Sequence, residues 1–325
     1  MTEKTGVLLI NLGTPDAPEP AAVRRYLAEF LSDRNVVDLP PLLWQPILRG
    51  LILPFRPRRT AEAYRLVWTE DGSPLAAITR RQASALQQRL GSDVIVDYAM
   101  RYGTPAIAPG IDRLVEQGCE RILAAPLYPQ FSGATTGTVE SVLLAAFARM
   151  DRDIPMRILP PYFADDAYIG ALAQHIERQL AALDFEPQRL LLSFHGLPQR
   201  TVNRGDPYFK HCMETARLLS DRLTIATDVA FQSRFGPAKW LEPATDVTLA
   251  AYPAKGVKRL AIAAPGFSAD CIETLEELGI RGRETFMGAG GEQFARLDCL
   301  NDSPEGMDML QALISRELEG WTAPA

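Results

Sequence analysis

Short apolar runs rich in β-branched residues alternate with amphipathic stretches along almost the whole 325-residue chain, and this rhythm restricts the fold more than any other feature. The runs fall at residues 6–12, 94–100, 121–127, 156–159, 190–194, 229–231 and 259–264, each closed by Gly, Pro or a polar cluster. Between them, residues 21–31, 75–90, 107–117, 165–183, 207–223 and 243–254 carry apolar side chains at helical spacing. Strands that alternate with helices form βαβ units and hence parallel sheets. The runs are nearly continuous in apolar residues, as expected of strands covered on both faces. A chain of this length exceeds what one hydrophobic core usually organises. We therefore expect an α/β protein of two domains, 1–160 and 161–325, divided near Pro160-Pro161-Tyr162. A last helix at 305–319 could cross back onto the first domain.

Composition narrows the partners. Hydrophobic residues at 47% and charged residues at 23% exclude a disordered chain. A net charge of −6 gives no general attraction to nucleic acid, so an anionic ligand would need a local cluster of Arg or Lys. The four cysteines, Cys119, Cys212, Cys271 and Cys299, include no C-x-x-C pair, which argues against a zinc site or a disulfide framework. The first residues contain no apolar signal region, and a reducing cytoplasm is expected. No added dimerisation segment is evident, so a monomer is expected.

Residues 39–55, L-P-P-L-L-W-Q-P-I-L-R-G-L-I-L-P-F, are too short and too interrupted by Pro, Gln45 and Arg49 to span a bilayer. They read either as a buried helix pair or as an apolar lip. Trp44 and the flanking arginines suit the lip, which could touch a membrane surface.

Ligands of open α/β sheets bind where strands end and helices begin. Those turns here read N-L-G-T-P, M-R-Y-G-T-P, P-L-Y-P-Q-F-S-G-A-T-T-G, S-F-H-G-L-P, F-Q-S-R-F-G-P and A-P-G-F-S-A-D-C-I-E-T-L. None is a dinucleotide fingerprint, and the Gly288-Ala289-Gly290-Gly291 cluster reads as a flexible connector. Of three histidines, His175 and His211 fall within helical patterns and are expected on solvated faces. His195 instead follows a strand and precedes Gly196, where an imidazole can take a proton near neutral pH or ligate a transition metal. Glu273 and Glu277 are four apart and would share a helical face, with Glu276 at its edge. They read either as a solvated acidic first turn or as a carboxylate track that moves protons or a cation. Ser268 and Asp270 are candidate caps for that helix.

These turns, with F-L-S-D-R-N-V-V-D, G-S-P-L and N-R-G-D-P-Y, resemble the ferrochelatase family in its proteobacterial form, in order from about residue 6 to about residue 280. The resemblance implies two Rossmann-like domains of the chelatase type and a lyase that inserts Fe²⁺ into protoporphyrin IX, the terminal step of haem biosynthesis. It implies His195 as the acceptor of pyrrole protons or as an iron ligand, and Glu273 as its partner carboxylate. Asp270 and Glu277 would extend a proton and metal track. Leu12, Arg101, Tyr102, Trp240 and Phe267 would wall the porphyrin cavity, and Arg56, Arg59, Tyr64 and Ser73 would handle propionates or the cavity mouth. Many relatives carry His at the position of Cys271, so a second imidazole is not expected here. Gly133 stands where cluster-bearing relatives have a cysteine, and no cysteine follows Trp321, so no [2Fe–2S] cluster and no permanently bound cofactor are expected. Fe²⁺ and protoporphyrin would be substrates, with peripheral membrane contact through the lip.

The chemistry suits such residues. Metal insertion must remove two inner N–H protons while a cation enters the same hole, and a cavity that binds a bent ring favours the transition state. A protonated imidazole cannot ligate Fe²⁺ and an iron-bound one cannot accept a proton; the base role is favoured for His195. The rival readings are a chelatase for coproporphyrin or for cobalt, a porphyrin or haem carrier, and, remotely, a nicotinamide enzyme.

Overall fold

The computed structural model describes residues 4–150, 153–236 and 238–321. The chain divides into two compact units. The first takes residues 1–127, 132–160 and 310–325, and the second takes 128–131 and 161–309.

The first unit is built on a four-stranded sheet of β1 (Lys4–Gly13), β2 (Val94–Tyr102), β3 (Cys119–Pro126) and β4 (Met156–Ile158), all parallel, in the order β2-β1-β3-β4. The second repeats the winding with β5 (Arg189–His195), β6 (Thr227–Gln232), β7 (Arg259–Ala263) and β8 (Gln293–Arg296), in the order β6-β5-β7-β8. Central strands are sealed on both faces, with Val7–Ile10 and Leu190–Leu192 wholly buried. In this winding the chain reverses direction beside the first strand of each sheet, between β1 and β3 and between β5 and β7. Such switch points open a crevice at the carboxyl ends of the strands. In the second unit, that is where His195 lies.

β8 was not expected. Its four residues, Q-F-A-R, are too short and too polar to signal a strand, and it forms because β7 offers a free edge. The glycine cluster before it ends helix Arg283–Gly288 and turns the chain into β8. A Cβ on Gly291 would lie 2.3 Å from the Phe286 ring, and Phe286 anchors the core that also holds Leu191, Leu260 and Leu278.

Residues 39–55 fold as helix Pro41–Ile47, a π-helical turn Leu48–Ile52 and the start of helix Leu53–Val67. This segment is no buried helix pair. Leu42, Leu43, Ile47, Leu51 and Phe55 are exposed, while Leu48 and Leu53 are buried. Trp44, expected at a water interface, is also buried, because its indole N–H donates to the Leu31 carbonyl at 2.6 Å. Among the described residues, no helix is long and apolar enough to cross a membrane.

His175 departs from expectation as well. It is buried, not solvated, and its ring is satisfied on both sides. Nδ1 accepts from Arg178 at 2.9 Å, so the proton sits on Nε2 and is donated to the Cys299 carbonyl at 3.0 Å. His211 is partly buried and stacks on Phe163 at 3.7 Å, with Nδ1 accepting from the Phe131 N–H at 3.2 Å. Burial pushes its pKa down. Both imidazoles are held by structure, which leaves His195 for chemistry. Helix Pro304–Leu318 closes the described chain, and beyond it Arg157 of β4 donates to the Glu319 carbonyl at 3.0 Å and lies over the Trp321 ring.

Candidate active site

β5 ends on His195, and the following turn fixes the ring. Nδ1 lies 2.7 Å from the Gly196 carbonyl. A carbonyl can only accept, so in the neutral ring Nδ1 carries the proton and Nε2 keeps a lone pair. Gly196 is required by backbone, not only by ligand access, because a Cβ there would lie 2.6 Å from the Gln232 carbonyl and 3.3 Å from the Trp240 ring. Trp240 is half-buried and is pinned by donation to the Phe235 carbonyl at 2.9 Å. Phe267, half-buried in the turn after β7, sets its ring 6.5 Å from that of His195.

The acidic segment is a π-helix, Glu273–Gly282, in place of the expected α-helix. Its i→i+5 bonds widen each turn, a form common at functional sites. The widened turn changes the partners. Glu276, expected at the edge of the acidic face, is buried and receives Arg281, five residues on, at 2.9 and 3.0 Å. Glu273 and Glu277 are half-buried, so these side chains do not form a solvated first turn.

Glu277 is held in place by Ser233. One oxygen accepts the Ser233 backbone N–H at 2.8 Å and the other accepts the Ser233 hydroxyl at 2.6 Å. Ser233 adopts φ 65°, a left-handed geometry that lets both its donors converge on one carboxylate. Burial raises the Glu277 pKa above the usual carboxylate range; Ser233, the charge of His195 and Arg281 pull it down, and Glu273 adds to the rise. Cys271, buried two residues before Glu273, has its thiol pushed up by burial and by Glu273.

Asp270 is differently engaged. It is buried, pairs with Arg296 at 2.9 Å, and accepts from Asn301 at 2.7 Å and from Thr274 at 2.7 Å. Its acceptor sites are taken, and it braces the start of the π-helix. Among the described residues, no group of three or more His, Cys, Asp and Glu side chains is arranged to hold a metal ion.

The remaining candidates lie in the first unit. Arg101 donates to Asp33 and, at 2.7 Å, to Thr138, and its guanidinium covers the Tyr102 ring at 4.2 Å. Tyr102 is buried and donates to the same Asp33 oxygen at 2.9 Å. Burial alone would raise the Asp33 pKa, but Thr138, the Asn35 N–H, Tyr102 and Arg101 together hold it below the usual range. Ser73 is buried and accepts from Thr14 of N-L-G-T-P at 2.7 Å. Tyr64 is buried, Leu12 is half-buried, and Arg56 and Arg59 are exposed. Asp33, Thr138, Gln232 and Ser233 were not singled out from sequence, although Asp33, Gln232 and Ser233 stand inside F-L-S-D-R-N and F-Q-S-R-F-G.

The chain is 51% identical to the ferrochelatase of Methylocella silvestris, covering 98% of this chain and 95% of that protein. It is 50% identical to the ferrochelatase of Rhizobium meliloti, with 98% and 96% covered. Its fold resembles the sirohydrochlorin chelatase SirB of Bacillus subtilis subspecies spizizenii, crystallised with cobalt, at a TM-score of 0.58 and 12% identity over 98% of this chain and 96% of that one. It also resembles CbiX, described as the terminal enzyme of sirohaem biosynthesis in denitrifying bacteria, at a TM-score of 0.55 and 16% identity over 96% and 98%. The sequence model described as Ferrochelatase matches residues 4–318, and the chain belongs to the ferrochelatase family.

Proposed function

We propose that His195, Glu277 and Glu273 form the proton- and iron-handling centre of a chain that inserts Fe²⁺ into protoporphyrin IX, the terminal step of haem biosynthesis. The reaction exchanges two inner N–H protons for one divalent cation, so charge balances only if both protons find acceptors. The observation that carries the reading is the fixed His195 ring, whose Nδ1–H is given to the Gly196 carbonyl, with Glu277 held by both donors of Ser233, the residue after the register partner of His195, Gln232. Nε2 takes a pyrrole proton, and Glu277, whose raised pKa brings it nearer to that of imidazole, can receive it in turn. Glu273 supplies a second carboxylate beside this pair, and its negative charge favours the approaching cation. Asp270 acts on the same track through its grip on the first turn of the helix.

Phe267 and Trp240 offer aromatic faces beside His195, suited to a flat macrocycle. In the first unit, Leu12 and Arg101 are assigned to porphyrin contact, and the exposed Arg56 and Arg59 to the propionates. The buried Tyr64, Ser73 and Tyr102 back these groups. The exposed stripe of Leu42, Leu43, Ile47, Leu51 and Phe55, flanked by arginines, supports peripheral contact with a bilayer, where protoporphyrin and haem partition.

The test is His195→Ala, assayed anaerobically for Fe²⁺ insertion with protoporphyrin and with coproporphyrin side by side. Turnover should fall by at least about a hundredfold while porphyrin still binds. Turnover near the wild-type level would remove His195 from both the base and the ligand role.

A further inference from the structure

We propose that Gln232 is a positioning residue that sets the separation between His195 and the acidic π-helix, a role that rests on the site assignment above. Gln232 ends β6 opposite His195 in the β5–β6 register. Its carbonyl accepts the Gly196 N–H at 2.8 Å, immediately after the imidazole. Its side-chain amide reaches the other way and donates to the Glu273 carbonyl at 3.2 Å, on the first residue of the π-helix. One residue therefore holds the base by its main chain and the acid-bearing helix by its side chain.

The amide is held in one orientation by elimination. The Glu273 carbonyl can only accept, so Nε2 must face it and Oε1 must face Ser193. The Ser193 hydroxyl then commits its one proton to Oε1, at 2.8 Å. In its 2.8 Å contact with Thr245, Ser193 must consequently accept. Thr245, Ser193, Gln232 and the Glu273 carbonyl form a single directed chain, and the three side chains are at most 3% exposed. Water cannot substitute for a missing member without opening the core. Proton transfer between groups on separate elements is sensitive to small displacements, and a shift of about 1 Å can cost about a hundredfold in rate.

Gln232→Met preserves length and burial but removes both amide functions. The expected result is a fall of about tenfold or more in kcat for Fe²⁺ insertion, with porphyrin KM held within about twofold. Adding Ser193→Ala to it should lower kcat no further, because the two act in one chain. A Gln232→Met enzyme with wild-type kcat per folded molecule, even one with a lower melting temperature, overturns the proposal. Where that variant does not fold, Thr245→Val withdraws only the first donor and carries the same test. A lower kcat at constant KM supports the role and an unchanged kcat overturns it. His195→Ala is measured alongside: if it retains turnover, the site assignment itself fails. If it is inactive while Gln232→Met is fully active, only the positioning role fails.

Discussion

Ser233 grips Glu277 with both of its donors, the backbone N–H at 2.8 Å and the hydroxyl at 2.6 Å, from a left-handed backbone conformation. The hydroxyl bond favours the ionised carboxylate and opposes the upward push of burial. Ser233→Gly keeps the backbone geometry, since glycine accepts positive φ, and deletes only the hydroxyl. The Glu277 pKa should then rise further, and the acid limb of the kcat/KM profile for iron insertion should move to higher pH. An unmoved limb would show that Glu277 does not titrate in turnover.

Gly196→Ala tests the close approach of the two strand ends. Its Cβ would meet the Gln232 carbonyl at 2.6 Å, and backbone on both sides would have to part. Overpacking of this kind costs about 1–3 kcal/mol, readable by urea denaturation. Activity should fall more than stability suggests, because the turn that yields is the one that orients His195.

Glu305 gives the stability an acid dependence. The hydrogen bond from Arg178 is the largest influence and, despite burial, its pKa is held down at about 2. The unfolded value is about 4.3. A depressed folded pKa means stability that is present above the unfolded value and lost as pH falls through the folded one. The difference in unfolding free energy between wild type and Glu305→Gln should therefore be constant near neutral pH and close between about pH 4.3 and about pH 2.

The exposed apolar stripe predicts membrane affinity. Leu43→Ser, Leu51→Ser and Phe55→Ser together remove side chains that are 61% to 71% exposed and contribute nothing to the core. Each is worth about 1.5–3 kcal/mol on full transfer from water, so binding to anionic vesicles should drop by more than about tenfold in flotation assays. Melting temperature and iron insertion into detergent-solubilised porphyrin should hardly change.

Much of this molecule is legible in its sequence, for identifiable reasons. Apolar runs such as 6–12 and 190–194 announce strands because parallel sheets bury both faces. His195 stands out because strand ends carry function in such folds. What was hidden depends on contacts distant in sequence. β8 forms on an edge supplied by β7. His175 is buried because the Cys299 carbonyl and Arg178 meet it there. The π-helix escapes spacing arguments because Glu273 and Glu277 are four apart while Glu276 and Arg281 are five apart, so the residues fit either helix. Gln232 and Ser233 sit in a recognisable motif, but their partners lie some forty residues away.

The first sheet draws all of its strands from residues 4–158, so its hydrogen-bond ladders can form early in synthesis. Yet Arg121 and Arg157, on its strands β3 and β4, find the Trp321 and Glu319 carbonyls only after the whole second unit has been made. The first unit thus takes its strands from the start of the chain and two of its hydrogen bonds from the far end, on either side of the whole second unit.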